Sequence, residues 1–342
     1  MNDRAALDAD SAFGASAFEG SLESTAPMRW MGWRLRLLVL AALLGCLGLF
    51  TLMRWVTDSP SLDALFETRA EQGPPVLVAS ALPELKSAIG KPLVAFEGAD
   101  GRRQPVSALL LQRSARWQVD DDAREQQVRQ QEALAEALAR GALTLEFGDG
   151  QRIAVRPQPR GFGGVGATFW PLAGLALLLY LVGVVVVLAR PQTRNALYFI
   201  IALAQAGNLL FIAIDSLRGL GMPAGASASE MFPRLAFDLV SAAACVHVFA
   251  LHPRRVPGAD AISGAAWAVT ALTLGLVHAE LLPRLWWWSQ GTILALSVAS
   301  LAVLSWSYRI EANPFAAVMR RFGTIAVSTF ALVSLAVALL AT

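Results

Sequence analysis

Seven long apolar runs constrain this chain more than any other feature. A helix needs about 20 consecutive apolar residues to cross a bilayer, and most of these runs reach or approach that length. Hydrophobic residues make up 55% of the chain and charged residues 16%, as in polytopic membrane proteins. A soluble all-α protein with buried helices rarely produces so many such runs. The runs predict spans 1 to 7 at Trp33–Val56, Ala167–Ala189, Ala196–Leu217, Leu235–Leu251, Ala261–Val277, Leu285–Tyr308 and Phe322–Ala341.

The arginines beside the predicted spans indicate an orientation, because Lys and Arg near span ends favour the cytoplasmic side. The loops on the opposite side carry Arg218, Arg234 and Arg284, mostly singly. The N-terminus is therefore predicted to be cytoplasmic and residues 57–165 extracytoplasmic, in a bacterial cytoplasmic (inner) membrane; with seven spans, Thr342 would lie outside. The arginines on the predicted inner side are Arg29, Arg34, Arg36, Arg190, Arg194, Arg254, Arg255, Arg309, Arg320 and Arg321.

Tryptophans support the predicted span ends, because indole rings favour the headgroup region of a bilayer. Those at the outer ends are predicted to be interfacial anchors; the alternative for the triple Trp of span 6 is an aromatic ligand platform. The predicted anchors are Trp55, Trp170, Trp286, Trp287 and Trp288.

The chain divides into four regions. Residues 1–28 lack a periodic apolar pattern and are predicted to be a disordered cytoplasmic tail. Residues 33–56 form an uncleaved transmembrane helix, since this run exceeds a signal-peptide core and no A-x-A site follows it. Residues 57–165 hold an extracytoplasmic domain and linker, and 166–342 hold a six-helix transmembrane bundle. Cys46 and Cys245 fall inside spans and predict no disulfide.

The segment between spans 1 and 2 predicts a small α/β domain. Val76–Val78 and Pro92–Glu97 have strand character, with a short helix over Ala81–Ile89 between them. Asp120 can cap a helix that runs to Arg140 and stops at Gly141. The alternation on either side of Gly148-Asp149-Gly150 predicts a hairpin, and Pro157–Gly166 is a predicted linker.

Two stretches carry a resemblance to a known family. The strand "PLVAFEG", the helix and the hairpin "GALTLEFGDG" resemble a PDZ-type domain, and "FWPLAGLALLLYLVGVVVVLARPQTRNALYF" is similar to the membrane section of PDZ-containing bacterial sensor histidine kinases of the peptide-pheromone type. The resemblance implies a PDZ-like extracytoplasmic domain, a peptide or protein ligand and a homodimer. It covers roughly 33–342. The kinase part and the family's eighth span are absent, which predicts either a fragment or a kinase-less relative.

Polar residues inside the predicted spans are the candidate site, because burying them in a membrane is costly unless they are paired. Gln205, Asn208 and Asp215 share a stripe on span 3, Asp215 can reach Arg218, and Asp238 lies one turn inside span 4. Asn208, Asp215, Arg218 and Asp238 are therefore candidate ligand-binding or sensing residues. The alternative is a hydrogen-bonded interface between helices, with Asp215 and Arg218 paired towards the surface.

The fold prediction is thus an α-helical polytopic membrane protein of seven transmembrane helices with one small PDZ-like α/β domain. The function predicted is the sensory module of a bacterial signal-transduction protein, the input half of a two-component sensor histidine kinase. The alternative is a transporter-like or assembly-scaffold protein whose external domain docks a partner. We find no catalytic motif and no metal-ligand spacing, and expect no cofactor. A net charge of +2 argues against nucleic acid, leaving the lipid bilayer as a partner.

Overall fold

The computed structural model describes residues 26–68, 73–312 and 314–340. Its described residues contain seven helices that are long and apolar enough to cross a membrane. The predicted tail over 1–28 lies outside the described residues up to position 25, and span 1 already begins at Ala26. Spans 1 to 7 run Ala26–Asp58, Phe169–Ala189, Thr193–Asp215, Ala226–Leu251, Ala259–His278, Leu285–Ile310 and Pro314–Leu340.

Several helices begin before the apolar runs that predicted them, whereas span 2 begins two residues later than predicted and span 3 ends two residues earlier. Span 4 begins at Ala226 instead of Leu235, and span 7 begins at Pro314 instead of Phe322. Hydropathy marks only the apolar part of a helix, whereas the backbone ladder continues through polar turns. Two charged residues of span 4, Glu230 and Arg234, were thereby left outside the prediction.

Span 4 is the centre of the bundle. It packs against spans 3, 5 and 6, while span 2 lies between spans 1 and 3 and span 7 packs on span 6. Leu43 on span 1 and Leu332 on span 7 are 62% and 66% exposed. Many other large apolar side chains of the spans are also exposed, as contact with lipid would require.

Residues 60–68 and 73–159 form the α/β domain between spans 1 and 2. Its strands β1 to β8 are Pro60–Ser61, Ala64–Glu67, Val76–Ser80, Leu93–Gly98, Arg103–Pro105, Leu143–Phe147, Arg152–Val155 and Gln158–Pro159. Strands β5-β4-β6-β7 make a four-stranded antiparallel sheet, and β2–β3 and β1–β8 make two small antiparallel pairs. One long helix, the domain helix Asp121–Ala139, packs on β4.

Local sequence signals account for much of this domain. The Asp120 carboxylate accepts a hydrogen bond from Ala123 N at 2.9 Å, as a helix cap does, and the hairpin forms around Gly148–Gly150. The helix expected over Ala81–Ile89 is a single 3₁₀ segment, Pro83–Ala88. The stretch predicted as a linker contains β8 and the short helix Gly161–Val165, so it is ordered structure.

The core of the α/β domain includes one residue from the bundle. Phe96, Leu134, Leu145 and Phe147 are at most 1% exposed, and Leu220 of the loop between spans 3 and 4 packs with them. Leu62 N donates to Leu220 O at 3.0 Å, and Leu220 N returns a bond to Leu62 O at 2.9 Å. The domain is therefore joined to the bundle by a β-bridge as well as through the chain.

The predicted orientation leads to a labelling result. Lys86 is exposed on the α/β domain, and Arg194 is exposed in the first turn of span 3, at the opposite end of the bundle. A bilayer-impermeant thiol reagent added to intact cells should label Lys86→Cys and leave Arg194→Cys unlabelled until the cells are opened. The reverse pattern would contradict the orientation. Cys46 and Cys245 lie within spans and provide the unmodified background.

Candidate functional site

A cluster of charged and polar side chains lies where the α/β domain meets spans 3 and 4. We call it the junction charge cluster. It combines three carboxylates, two arginines, one amide and one hydroxyl from three separate parts of the chain. Its members are Ser114 and Arg116 of the domain, Asn208 and Asp215 of span 3, and Glu230, Arg234 and Asp238 of span 4.

Span 4 supplies the middle of the cluster. Glu230, Arg234 and Asp238 follow each other at intervals of four residues, which places them along one helical face. The Arg234 guanidinium donates to the Glu230 carboxylate, and its Nη1 lies 2.8 Å from Asp215 Oδ2 on span 3. The side chains of Arg234 and Glu230 are 4% and 3% exposed. Arg234 thus neutralises the buried Glu230 and the partly exposed Asp215, whose side chain is 19% exposed.

Span 3 supplies the second side of the cluster. Asn208 Nδ2 donates to Asp238 Oδ1 at 2.8 Å, and one helical turn deeper Gln205 Nε2 donates to Ser241 Oγ at 2.9 Å. Asp215 is the last residue of the helix. Spans 3 and 4 are therefore held together by polar bonds at several depths, and an ion pair closes the end nearest the domain.

The α/β domain supplies the third side. A 3₁₀ segment, Ala115–Trp117, follows Ser114 and points two side chains at span 4. Arg116 forms an ion pair with Asp238, and the Ser114 hydroxyl bonds the Glu230 carboxylate. Burial lowers the pKa of Arg116, and the facing Asp238 carboxylate opposes that effect. A domain side chain thus completes the pairing of a carboxylate inside span 4.

Buried glutamines fix the segment that leads into this contact. Gln131 Nε2 of the domain helix donates to Leu110 O at 2.6 Å, and Gln127 Nε2 donates to Gln112 O at 2.8 Å. Both side chains are almost fully buried. They satisfy backbone carbonyls at the end of the 3₁₀ segment Ala108–Leu111, so the position of Ser114 and Arg116 depends on the domain helix.

Two carboxylates of the domain helix also cap spans of the bundle. Asp121 accepts hydrogen bonds from the backbone N–H groups of Arg284 and Leu285, at 2.7 and 3.2 Å, where span 6 begins. Glu132 accepts from Gly225 N and Ala228 N, at 3.2 and 3.3 Å, where span 4 begins. The first N–H groups of a helix lack internal partners and carry partial positive charge, so carboxylates stabilise them. The domain helix therefore bonds to the two spans directly.

Two further arginines hold the loop between spans 3 and 4. Arg113 Nη2 donates to Gly219 O at 2.5 Å, and Arg160 Nη2 donates to Gly221 O at 2.6 Å. The other arm of Arg160 bonds the carbonyl of Arg218. Burial lowers the pKa of Arg160 to about 10, which leaves it charged at neutral pH, and burial lowers the pKa of Arg113 as well. The guanidinium groups of both arginines donate hydrogen bonds to backbone carbonyls.

The predicted site residues are brought together only in part. Asn208 and Asp238 bond each other, and Asp215 joins them through Arg234. The predicted pairing of Asp215 with Arg218 is wrong. Span 3 ends at Asp215 and the chain turns away, so the Arg218 side chain lies against Gly166, while Arg234 reaches Asp215 from span 4.

The five tryptophans that were predicted to be interfacial anchors are not all exposed. Trp55, Trp170, Trp287 and Trp288 are 39% to 53% exposed, as interfacial anchors require. Trp286 is 2% exposed and packs edge-on against Trp287. It faces the bundle from the first turn of span 6, so its assignment as an anchor is wrong.

Sequence reasoning missed Ser114, Arg116, Glu230 and Arg234. For Glu230 and Arg234 a signal existed, because their four-residue spacing continues to Asp238. That spacing becomes visible once span 4 is begun before Arg234. Ser114 and Arg116 meet span 4 only through tertiary packing, and nothing local to them marks the contact.

No family model, curated protein or solved structure matches this chain. Its geometry and chemistry therefore carry the assignment of function. Within the described part of the chain, no three His, Cys, Asp or Glu side chains are grouped so that they could hold a metal ion. The junction charge cluster is held together chiefly by ion pairs.

Proposed function

We propose that this chain is the sensory module of a bacterial membrane signalling protein, the input half of a two-component sensor histidine kinase. The observation that supports this most directly is the contact of Arg116 and Ser114 with Asp238 and Glu230. A ligand that favours one position of the α/β domain would change the pairing of these buried carboxylates. It would thereby favour one arrangement of spans 3 and 4 over another.

The ion pair between Arg116 and Asp238 suits a switch, because each side chain depends on the other for neutralisation of its charge. If Arg116 withdraws, the Asp238 carboxylate, whose side chain is only 15% exposed, keeps Asn208 as a neutral partner. An uncompensated buried charge is costly, so the helices around it must repack or admit water. A displacement of the domain would therefore have consequences inside the bundle.

The same proposal assigns ligand binding to the α/β domain. We place the α/β domain outside the cytoplasmic membrane, treat it as PDZ-like on the strength of its "GALTLEFGDG" hairpin, and assign it a peptide or protein ligand. The sensing residues are Asn208, Asp215 and Asp238, and the acting form is a homodimer. Arg218 lies outside this network.

Transcription in the cell that makes this protein is the measurement we choose. Asp238→Asn removes the charge that Arg116 neutralises, and the double variant Arg116→Gln with Asp238→Asn removes both charges. If the chain is a sensory input, both should alter the transcript levels of a gene set that also changes when the chain is deleted. Arg254→Gln is the matched control, because Arg254 pairs with Glu311 on the exposed surface.

Membrane abundance of each variant must be equal before transcripts are compared. Unchanged transcription in the deletion strain and both cluster variants would contradict the sensory proposal.

The second candidate, a transporter-like or scaffold protein, is favoured by the extensive bonding between domain and bundle, which suits a rigid docking platform. It predicts an unchanged transcript profile together with the loss of a membrane complex in the deletion strain.

A further inference from the structure

A second site lies beside the junction charge cluster, in a cavity of about 570 Å³ between β2 and the loop that follows span 3. One part of its wall is apolar and another part is charged. The apolar part includes Leu65, Phe66 and Leu111, and the charged part consists of Asp63, Arg113 and Arg218. Leu65 is 52% exposed and leaves part of this apolar wall accessible.

The cavity lies beside the ends of spans 2 and 3. Arg218 comes three residues after the end of span 3, and its N–H donates to Gly164 O at 3.1 Å. A Cβ built on Gly166, just before span 2, would lie 3.2 Å from the Arg218 side chain. Trp170, in the first turn of span 2, is 46% exposed. Arginine and tryptophan at span ends are typical of the interface between lipid and water.

Two charged residues that line this cavity have no side-chain partner in the part of the chain that the structure describes. Arg218 and Asp63 are both exposed, and none of the described residues bonds or pairs with either side chain. The bonds from Ser80 and Ala81 go to the Asp63 carbonyl and not to its carboxylate. Arg113, in contrast, already donates to Gly219 O. Among the described residues, the cavity therefore combines an unpaired cation and an unpaired anion with an apolar wall.

We propose that this cavity binds the headgroup of a zwitterionic, amine-bearing phospholipid. Its phosphate lies on Arg218, its ammonium group faces Asp63, and the beginning of its acyl chains covers Leu65 and Phe66. Guanidinium groups bind phosphate through charge-assisted hydrogen bonds. The apolar wall favours a lipid over free phosphate, which has nothing to place there. This site is separate from the sensory proposal and does not depend on it.

The test uses the purified full chain in lipid nanodiscs that contain a photoactivatable phosphatidylethanolamine. Arg218→Ala should lower the fraction of chain that is labelled by about tenfold, a change that corresponds to about 1.4 kcal/mol of binding free energy. Asp63→Asn should lower labelling by phosphatidylethanolamine but not by a phosphatidylglycerol probe. Arg156→Ala is the matched control, because Arg156 is exposed on the same domain without lining the cavity.

Three results would each overturn the proposal. These are undiminished labelling of Arg218→Ala, equal labelling of the unaltered chain by the two lipid probes, and displacement of the lipid probe by inorganic phosphate. Arg218→Gln keeps the length and polarity of the side chain without the charge. It should lose labelling to the same degree as Arg218→Ala, and retained labelling would count against a phosphate contact.

Discussion

Replacing Arg234 with methionine is expected to destabilise the folded protein by about 3–5 kcal/mol, the range observed when one member of a buried ion pair is removed. Arg234 neutralises both Asp215 and Glu230, and its side chain is 4% exposed. Methionine fills a similar volume but leaves the two carboxylates to face each other without a cation. The measurement is the free energy of unfolding of the purified chain in detergent, followed by circular dichroism.

Arg254→Met is the control for this experiment. Arg254 pairs with Glu311, but both side chains are more than half exposed, so the loss should be about 0–1 kcal/mol. Adding Asp215→Asn and Glu230→Gln to Arg234→Met should recover much of the lost stability, because the uncompensated charges disappear with the cation. Equal stability of Arg234→Met and Arg254→Met would show that the cluster is hydrated and the buried pairing incorrect.

Replacing Gly219 with alanine is expected to cost about 2–4 kcal/mol and to loosen the α/β domain from the bundle. Gly219 has φ +80°, a backbone conformation that residues with a Cβ adopt at a cost. The added Cβ would also lie 2.5 Å from the Leu62 carbonyl oxygen, a backbone atom that bonds Leu220 N. The bridge between Leu62 and Leu220 must therefore open.

Gly225→Ala separates the cost of the backbone conformation from the cost of the contact with the Leu62 carbonyl oxygen. Gly225 has φ +76°, but nothing lies within 4 Å of the position of a new Cβ. It should therefore show only the backbone cost, about 1–2 kcal/mol. The free energy of unfolding of both variants gives the contribution of the contact by difference. Limited proteolysis should cleave Gly219→Ala faster near residues 217–222. Identical behaviour of the two variants would contradict the bridge.

The sequence predicted what depends on short-range physics. Apolar runs identified seven helices, because the length and hydropathy of a run are local properties. The Gly148–Gly150 hairpin and the cap at Asp120 were predicted from residues that lie next to one another in the chain. Asn208, Asp215 and Asp238 were identified because polar residues inside apolar runs are few.

What the sequence could not supply was the arrangement between distant segments. Arg234 was interpreted as a loop residue, since the apolar run began after it, and this hid the central cation of the junction charge cluster. Arg116 lies in the short 3₁₀ segment Ala115–Trp117, and its contact with span 4 depends on tertiary packing, to which the hydrogen bonds of Gln127 and Gln131 contribute. Leu220 enters the core of the α/β domain from the bundle, a contact between segments far apart in sequence.

The caps that Asp121 and Glu132 provide have a consequence for how the protein is made. Spans 4 and 6 each begin with backbone N–H groups whose partners come from the domain helix, which is synthesised earlier. If the domain crosses the membrane as we propose, the first turns of these two spans can be completed only after it has crossed and folded. Maturation of the bundle would then wait on translocation of the domain, and a domain that fails to fold would leave two membrane helices frayed at their starts.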